Sequence, residues 1–171
     1  LQRDGDLPAD HRRRLARKAF ERTAAYDAAI AAWLAGEPAP EIHLRYGENP
    51  HQAATFRPDT PPPAEATLAA ARILHGKEMS FNNYVDGDAA LEAARGLHDA
   101  PAAVIIKHTN PCGAATADTL ADALAEAWEG DVVSAFGSVI AATRPVDLTA
   151  AQILKGRFVE VNCATLRGDM A

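Results

Sequence analysis

The chain has 171 residues, 48% hydrophobic, 23% charged and 6% aromatic, and its 17 Lys+Arg against 23 Asp+Glu leave a formal charge of −6. That length suits one globular domain, or one domain with an appended element, and the apolar fraction excludes a disordered chain. The acidic balance argues against a general nucleic-acid binder, although Arg12-Arg13-Arg14 is a local basic cluster.

Nothing approaches the roughly 18 consecutive apolar residues of a membrane span, and the first residues lack the apolar core of a signal peptide. Two cysteines, Cys112 and Cys163, are too few for a disulfide scaffold and point to a reducing cytoplasm. The first residue is Leu1 and not Met, so the expectation is a piece of something longer.

In chain order, Asp6 or Asp10 offers a cap for a long amphipathic helix over residues 11–34. Leu15, Phe20, Tyr26, Ile30, Trp33 and Leu34 form its stripe, and Gly36, Pro38 and Pro40 end it. A lone helix cannot hide such a stripe, so it must pack on this domain, a second copy or another domain. Residues 41–46 alternate as a half-buried strand, broken by Gly47-Glu48-Asn49-Pro50. Residues 58–63 are a proline-rich loop and residues 64–71 a short helix. A helix starts near Ser80 to Asn83 and runs to about His98.

Residues 102–106 are continuously apolar and β-branched, as in a buried parallel strand. Lys107 to Gly113 then forms a strand-to-helix loop, and Asp118 or Thr119 caps a helix to about Trp128. Residues 132–142 read as a strand interrupted at Ser134-Ala135-Phe136-Gly137; Asp147 starts a last short helix and residues 158–161 a last strand. Alternating strands and helices predict an α/β layered domain.

Three polar loops carry the candidate chemistry. Lys107-His108-Thr109-Asn110-Pro111-Cys112-Gly113 leaves the end of a buried strand, where open α/β sheets place ligands. A lysine beside a histidine there supplies a positive charge and a general base near neutral pH, and Gly113 permits a conformation other residues resist. In Arg45-Tyr46-Gly47-Glu48-Asn49-Pro50-His51-Gln52, arginine suits bidentate phosphate recognition, and tyrosine can stack and hydrogen-bond. In Ser134-Ala135-Phe136-Gly137-Ser138, glycine lets the backbone approach a ligand and amides can face an anion. Each loop has a plain alternative: a solvated connection around Lys107, an ordinary surface arginine, and a β-bulge.

Sharper chemistries fail on spacing. A zinc deaminase needs Pro-Cys-x-x-Cys; Pro111-Cys112 begins that pattern, but position 115 is alanine. No other His and Cys spacing suits a metal, and no P-loop or dinucleotide fingerprint occurs. A Cys112–His108 nucleophile pair is conceivable within one loop, but an inert, partly buried thiol is the preferred reading.

The same loops carry a resemblance. Residues 44–52, Gly76-Lys77-Glu78-Met79-Ser80-Phe81-Asn82-Asn83, residues 107–113 and residues 134–137 resemble, in order, stretches of the transformylase domain of the bifunctional AICAR transformylase/IMP cyclohydrolase family of de novo purine biosynthesis. AICAR is the aminoimidazole carboxamide ribotide. Residues 11–34, with Lys18-Ala19-Phe20 and Ala24-Ala25-Tyr26-Asp27, are similar to the element closing the preceding cyclohydrolase domain.

The resemblance implies a three-layer cytidine-deaminase-like α/β domain without zinc, preceded by a long N-terminal helix. Its implied division is residues 1–36 as the cyclohydrolase's C-terminal helix and linker, and 41–171 as the first half of the transformylase. It implies formyl transfer from 10-formyltetrahydrofolate to the 5-amino group of AICAR, with cyclisation to IMP by the full-length protein, a cytoplasmic homodimer. His108 would be the general base and Lys107 would stabilise charge on the formyl oxygen or leaving folate. Arg45 and Tyr46 would hold the nucleotide, Gly137 would offer backbone contact, and no metal is implied.

Residues 162–169 drift from the family pattern, and the second half, with the folate-binding residues, is expected to lie outside the chain. The expectation is therefore a fragment with a substrate half-site, inactive alone. The alternatives are a non-catalytic truncated homologue binding a nucleotide or partner, and a distinct zinc-free hydrolase on the same fold. Neighbouring coding sequence discriminates the first two: a frame continuing on both sides with cyclohydrolase and second-half motifs supports the fragment. A start directly before Leu1 and a stop directly after Ala171 support the stand-alone module.

Overall fold

The computed structural model describes residues 7–36, 41–59 and 66–164. The chain divides into two units, Leu1–Glu41 with Arg57–Pro62, and Ile42–Phe56 with Pro63–Ala171. In the first, α1 spans Ala9–Leu34 and buries none of its residues; Phe20, Tyr26, Trp33 and Leu34 are all well exposed. Pro8, with its fixed φ, occupies the N-cap, and Asp10 falls inside the first turn, where its charge suits the helix dipole. Asp6, Pro38 and Pro40, and the stretch 60–65, lie outside the described residues.

The second unit is built on a four-stranded mixed sheet, ordered β4-β3-β5-β6. Its strands are β3 (Ala102–Lys107), β4 (Asn110–Thr116), β5 (Ser138–Ala142) and β6 (Val159–Ala164). A separate two-residue pair, β1 (Ile42–His43) and β2 (Thr55–Phe56), is all that forms from the alternating stretch expected over 41–46. Leu44 N–H still donates across to the Ala54 carbonyl (2.9 Å), but beyond it the chain bonds elsewhere: Arg45 N–H donates to the Met79 carbonyl (3.0 Å) and Phe81 N–H to that of Tyr46 (3.0 Å).

Five consecutive residues of β3, Ala102 to Ile106, are buried because helices cover both faces. Ala103 and Ile105 face Leu120, Leu124, Ala127 and Trp128 of α3 (Leu120–Glu129), joined by Ala150 of α5 (Leu148–Ile153). Val104 and Ile106 face Ala90 and Ala94 of α2 (Phe81–Arg95). A fully buried Ile or Leu contributes about 1.5–3 kcal/mol, so Ile105, Ile106, Leu124 and Ile140 supply much of the core.

The buried strand is not parallel to its neighbours: β3 pairs antiparallel with both β4 and β5, and only β5 and β6 run parallel. Burial on both faces produces the continuous apolar run whatever the strand direction. Accordingly, residues 107–113 are not a strand-to-helix connection but the turn and first part of a β-hairpin. Residues 132–142 are likewise not one strand. Asp131 caps a single helical turn, α4 (Val132–Ala135), before β5.

Thr119 and Asp147 cap α3 and α5 with their side chains, and α2 opens on a capping box between Ser80 and Asn83. The stretch expected as a short helix appears as one 3-10 turn, Leu68–Ala70. Among the described residues no helix is long and apolar enough to cross a membrane.

Gly113 is needed for close packing and not for an unusual φ. A Cβ there would sit 1.9 Å from the backbone carbonyl oxygen of Ala127, so β4 and α3 approach only through glycine. Gly113→Ala is expected to lower stability by about 3 kcal/mol or more, because backbone must move. Gly156→Ala, with φ +80° and nothing within 4 Å, should cost only the local strain, about 1–2 kcal/mol. Chemical denaturation of both variants checks the order.

Candidate functional site

Every residue singled out in the three loops lies in the second unit. The hairpin between β3 and β4 turns in two residues, His108 and Thr109, with φ of +52° and +62°. Positive φ at both positions characterises the type I′ hairpin turn, normally filled by Asn-Gly. Histidine and a β-branched threonine adopt it at a cost of about 1–2 kcal/mol each, and strain of this kind collects at functional sites.

Three hydrogen bonds hold the turn. Thr109 Oγ1 and Asn110 Nδ2 both donate to the His108 carbonyl, at 2.7 and 2.8 Å. The Thr109 backbone N–H donates to Asp86 Oδ1 of α2, at 2.8 Å. His108 is exposed, and among the described residues none hydrogen-bonds its ring.

Lys107 is half-buried and anchored, since its Nζ donates to the Phe136 carbonyl at 2.8 Å. It lines a hollow of roughly 200 Å³ with His108, Asn110, Pro111, Cys112, Asp131 and Ser134. The hollow is not uniformly positive. Asp131 sits in it with its carboxyl held below the ordinary value, first by the Ser134 hydroxyl, then by backbone amides and Lys107. Those hydrogen bonds cap α4 at neutral pH, and the cap is released as pH falls through that lowered value.

Gly137 has φ +70°, a conformation glycine takes freely. Its N–H donates to the Phe158 carbonyl at 2.8 Å, so this amide does not face an anion as expected. A Cβ there would stand 3.6 Å from the Phe158 ring, in ordinary contact with it.

Arg45 is the centre of a second cluster. Its Nη2 donates to Tyr46 Oη (3.3 Å) and Asn83 Oδ1 (3.4 Å), and pairs with Glu160 of β6 at 3.6 Å. Its guanidinium also lies 4.9 Å from the Tyr46 ring centroid. Among the described residues, all these polar contacts fall on one nitrogen, Nη2. The loop below is self-supporting: Gly47 N–H donates to Gln52 (2.8 Å), and Asn82 Nδ2 reaches the Glu48 carbonyl (3.0 Å).

Asn83 and Asp86 are the structural partners that the loops alone did not expose. Asn83 Oδ1 accepts from Ser80 N–H at 3.0 Å as well as from Arg45. The Ser80-x-x-Asn83 spacing is the signal for the capping role; nothing in the sequence points Asp86 at Thr109, 23 residues away.

Cys112 is not set up as a nucleophile. Burial pushes its thiol up, Asp131 adds to the rise, and Lys107 only partly opposes it. No hydrogen bond among the described residues joins it to His108. Nor do three His, Cys, Asp or Glu side chains among the described residues group as metal ligands.

Lys107, His108 and the Arg45 cluster thus lie at one end of a helix-covered α/β sheet, where β3 ends and β5 and β6 begin. A sequence model of the AICARFT/IMPCHase bienzyme family matches residues 1–169, and the chain belongs to that family. It is 47% identical over 94% of its length to the bifunctional purine biosynthesis protein PurH of Halalkalibacterium halodurans, covering 34% of that relative. To the PurH proteins of Myxococcus xanthus and Bacillus subtilis it is 48% and 44% identical over 94% of its length, covering 34% and 33% of theirs. The chain spans about a third of the length of these relatives.

Burial also raises Cys163, so both thiols stay protonated at neutral pH. Their alkylation by iodoacetamide at pH 8 should lag behind a free cysteine's and climb only above the ordinary thiol range. Mass spectrometry of each cysteine peptide measures this, and rapid reaction of Cys112 at neutral pH would restore the nucleophile reading.

Proposed function

We propose that the chain carries the substrate half-site of an AICAR transformylase, serving formyl transfer from 10-formyltetrahydrofolate to the 5-amino group of AICAR. The observation that carries this reading is the adjacent pair Lys107 and His108 on a strained turn, within a chain of the AICARFT/IMPCHase bienzyme family.

In this reading the exposed His108 imidazole takes the proton from the weakly nucleophilic amine as it attacks the formyl carbon. Lys107, its ammonium fixed on the Phe136 carbonyl, supplies positive charge for the formyl oxygen or the leaving folate. Arg45, which Glu160 and Asn83 hold through Nη2, would take the phosphate region, with Tyr46 packed beside it. Gly137 gives the nucleotide room to approach the backbone.

Residues 1–36 then correspond to the end of a cyclohydrolase domain and its linker, and residues 41–171 to the first half of a cytidine-deaminase-like transformylase fold. The folate-binding groups and the cyclisation to IMP would be supplied from outside this chain, by a cytoplasmic homodimeric protein. A non-catalytic module binding the same nucleotide is the second reading; the exposed aromatic residues of α1 favour it as a partner-facing stripe.

Calorimetric titration of the chain with AICAR should give weak binding that Arg45→Ala abolishes. In the complete reading frame, His108→Ala should cut formyl transfer by about 10²–10⁴-fold, the range of general-base catalysis, with nucleotide binding retained. Undiminished turnover in that variant sinks the general-base role, and AICAR binding with no formyl transfer by the complete unaltered protein favours the non-catalytic module.

A further inference from the structure

We propose that Asp86 is a positioning residue that holds the His108–Thr109 turn in its left-handed conformation and so aims the imidazole. The role given to that imidazole rests on the transformylase reading; the role of Asp86 in the turn does not.

A β-branched residue at φ +62° is a steric outlier, and such a conformation persists only where surrounding structure over-determines it. The bonds from Thr109 Oγ1 and Asn110 Nδ2 to the His108 carbonyl lie within the turn and move with it. Among the described residues, only the Thr109 N–H to Asp86 Oδ1 bond ties residues 108–109 to another element.

That element is itself fixed. α2 starts on the reciprocal Ser80–Asn83 capping box, and its Ala90 and Ala94 are packed against the sheet with Val104 and Ile106 of β3. Asp86 is therefore a charged acceptor on a docked helix, receiving the Thr109 backbone N–H of a turn whose sequence does not favour it. A carboxylate accepting a backbone N–H makes a stronger bond than a neutral acceptor does.

The test follows the turn itself in this chain by NMR. In Asp86→Ala, exchange of the Thr109 amide should accelerate about 10- to 100-fold, as loss of a charge-assisted hydrogen bond implies. The HN–Hα couplings of His108 and Thr109 should move away from values for positive φ. Asp86→Asn keeps an oxygen acceptor of the same shape and should restore most of the protection and both couplings. Unchanged exchange in the alanine variant, or no recovery in the asparagine variant, overturns the proposal.

If Asp86→Ala does not fold, the double variant Asp86→Ala/Thr109→Gly decides, because glycine takes positive φ without help. Recovery of the fold supports action through the turn, and failure to recover overturns it. Formyl transfer in the complete reading frame supplies the catalytic arm. There Asp86→Ala should lower kcat about 10- to 100-fold at unchanged KM for the nucleotide, as misplacement of a reacting group does. Unchanged kcat beside accelerated exchange refutes the aiming role. Absence of formyl transfer in the unaltered protein refutes the transformylase reading alone, and the exchange result still decides Asp86.

Discussion

A strand buried on both faces cannot present a polar side chain until it reaches the end of its cover. β3 meets that constraint from Ala102 to Ile106, with α3 and α5 on one face and α2 on the other. Lys107 is the first residue free of it, and the turn follows at once. The chemistry-bearing groups of the hairpin therefore sit where they do because the apolar run before them has a fixed length. The Phe136 carbonyl meets Lys107 because antiparallel β5 begins beside the place where β3 ends.

Much of this was legible in the sequence. The continuous run Ala102 to Ile106 announced burial on two faces, and the stretch Ser80 to Asn83, the pair Asp118 or Thr119, and Asp147 marked three helix starts that the structure contains. Strand direction was not legible, because periodicity records which faces are covered and not which neighbour lies alongside. Nor was the hairpin: His-Thr is a poor turn pair by composition, and only a partner distant in sequence lets it adopt the conformation usually left to Asn-Gly. The same limit applies to residues 132–135, where β-branched Val132 and Val133 resemble strand. There Asp131 captures two amides and turns the chain into a helix instead.

Of the candidate site, residue types were readable and their commitments were not. Lys107 and Arg45 stood out as cations, but neither the carbonyl holding one nor the carboxylate of Glu160 beside the other follows from local spacing. Gly113 was expected to serve through an unusual backbone conformation and Gly137 through close approach of a ligand, but it is Gly137 that has the positive φ. Gly113 uses only the missing side chain, to let a helix backbone come close.

Arg45 and Thr109 lie 64 positions apart in the chain, yet both bond to α2, one at Asn83 and the other at Asp86. Three residues of α-helix advance about 4.5 Å along its axis. Two loops far apart in sequence are thus referenced to marks on a single rigid rule. The spacing between the Arg45 guanidinium and the His108–Thr109 turn is then set by peptide geometry, the least compliant part of the molecule.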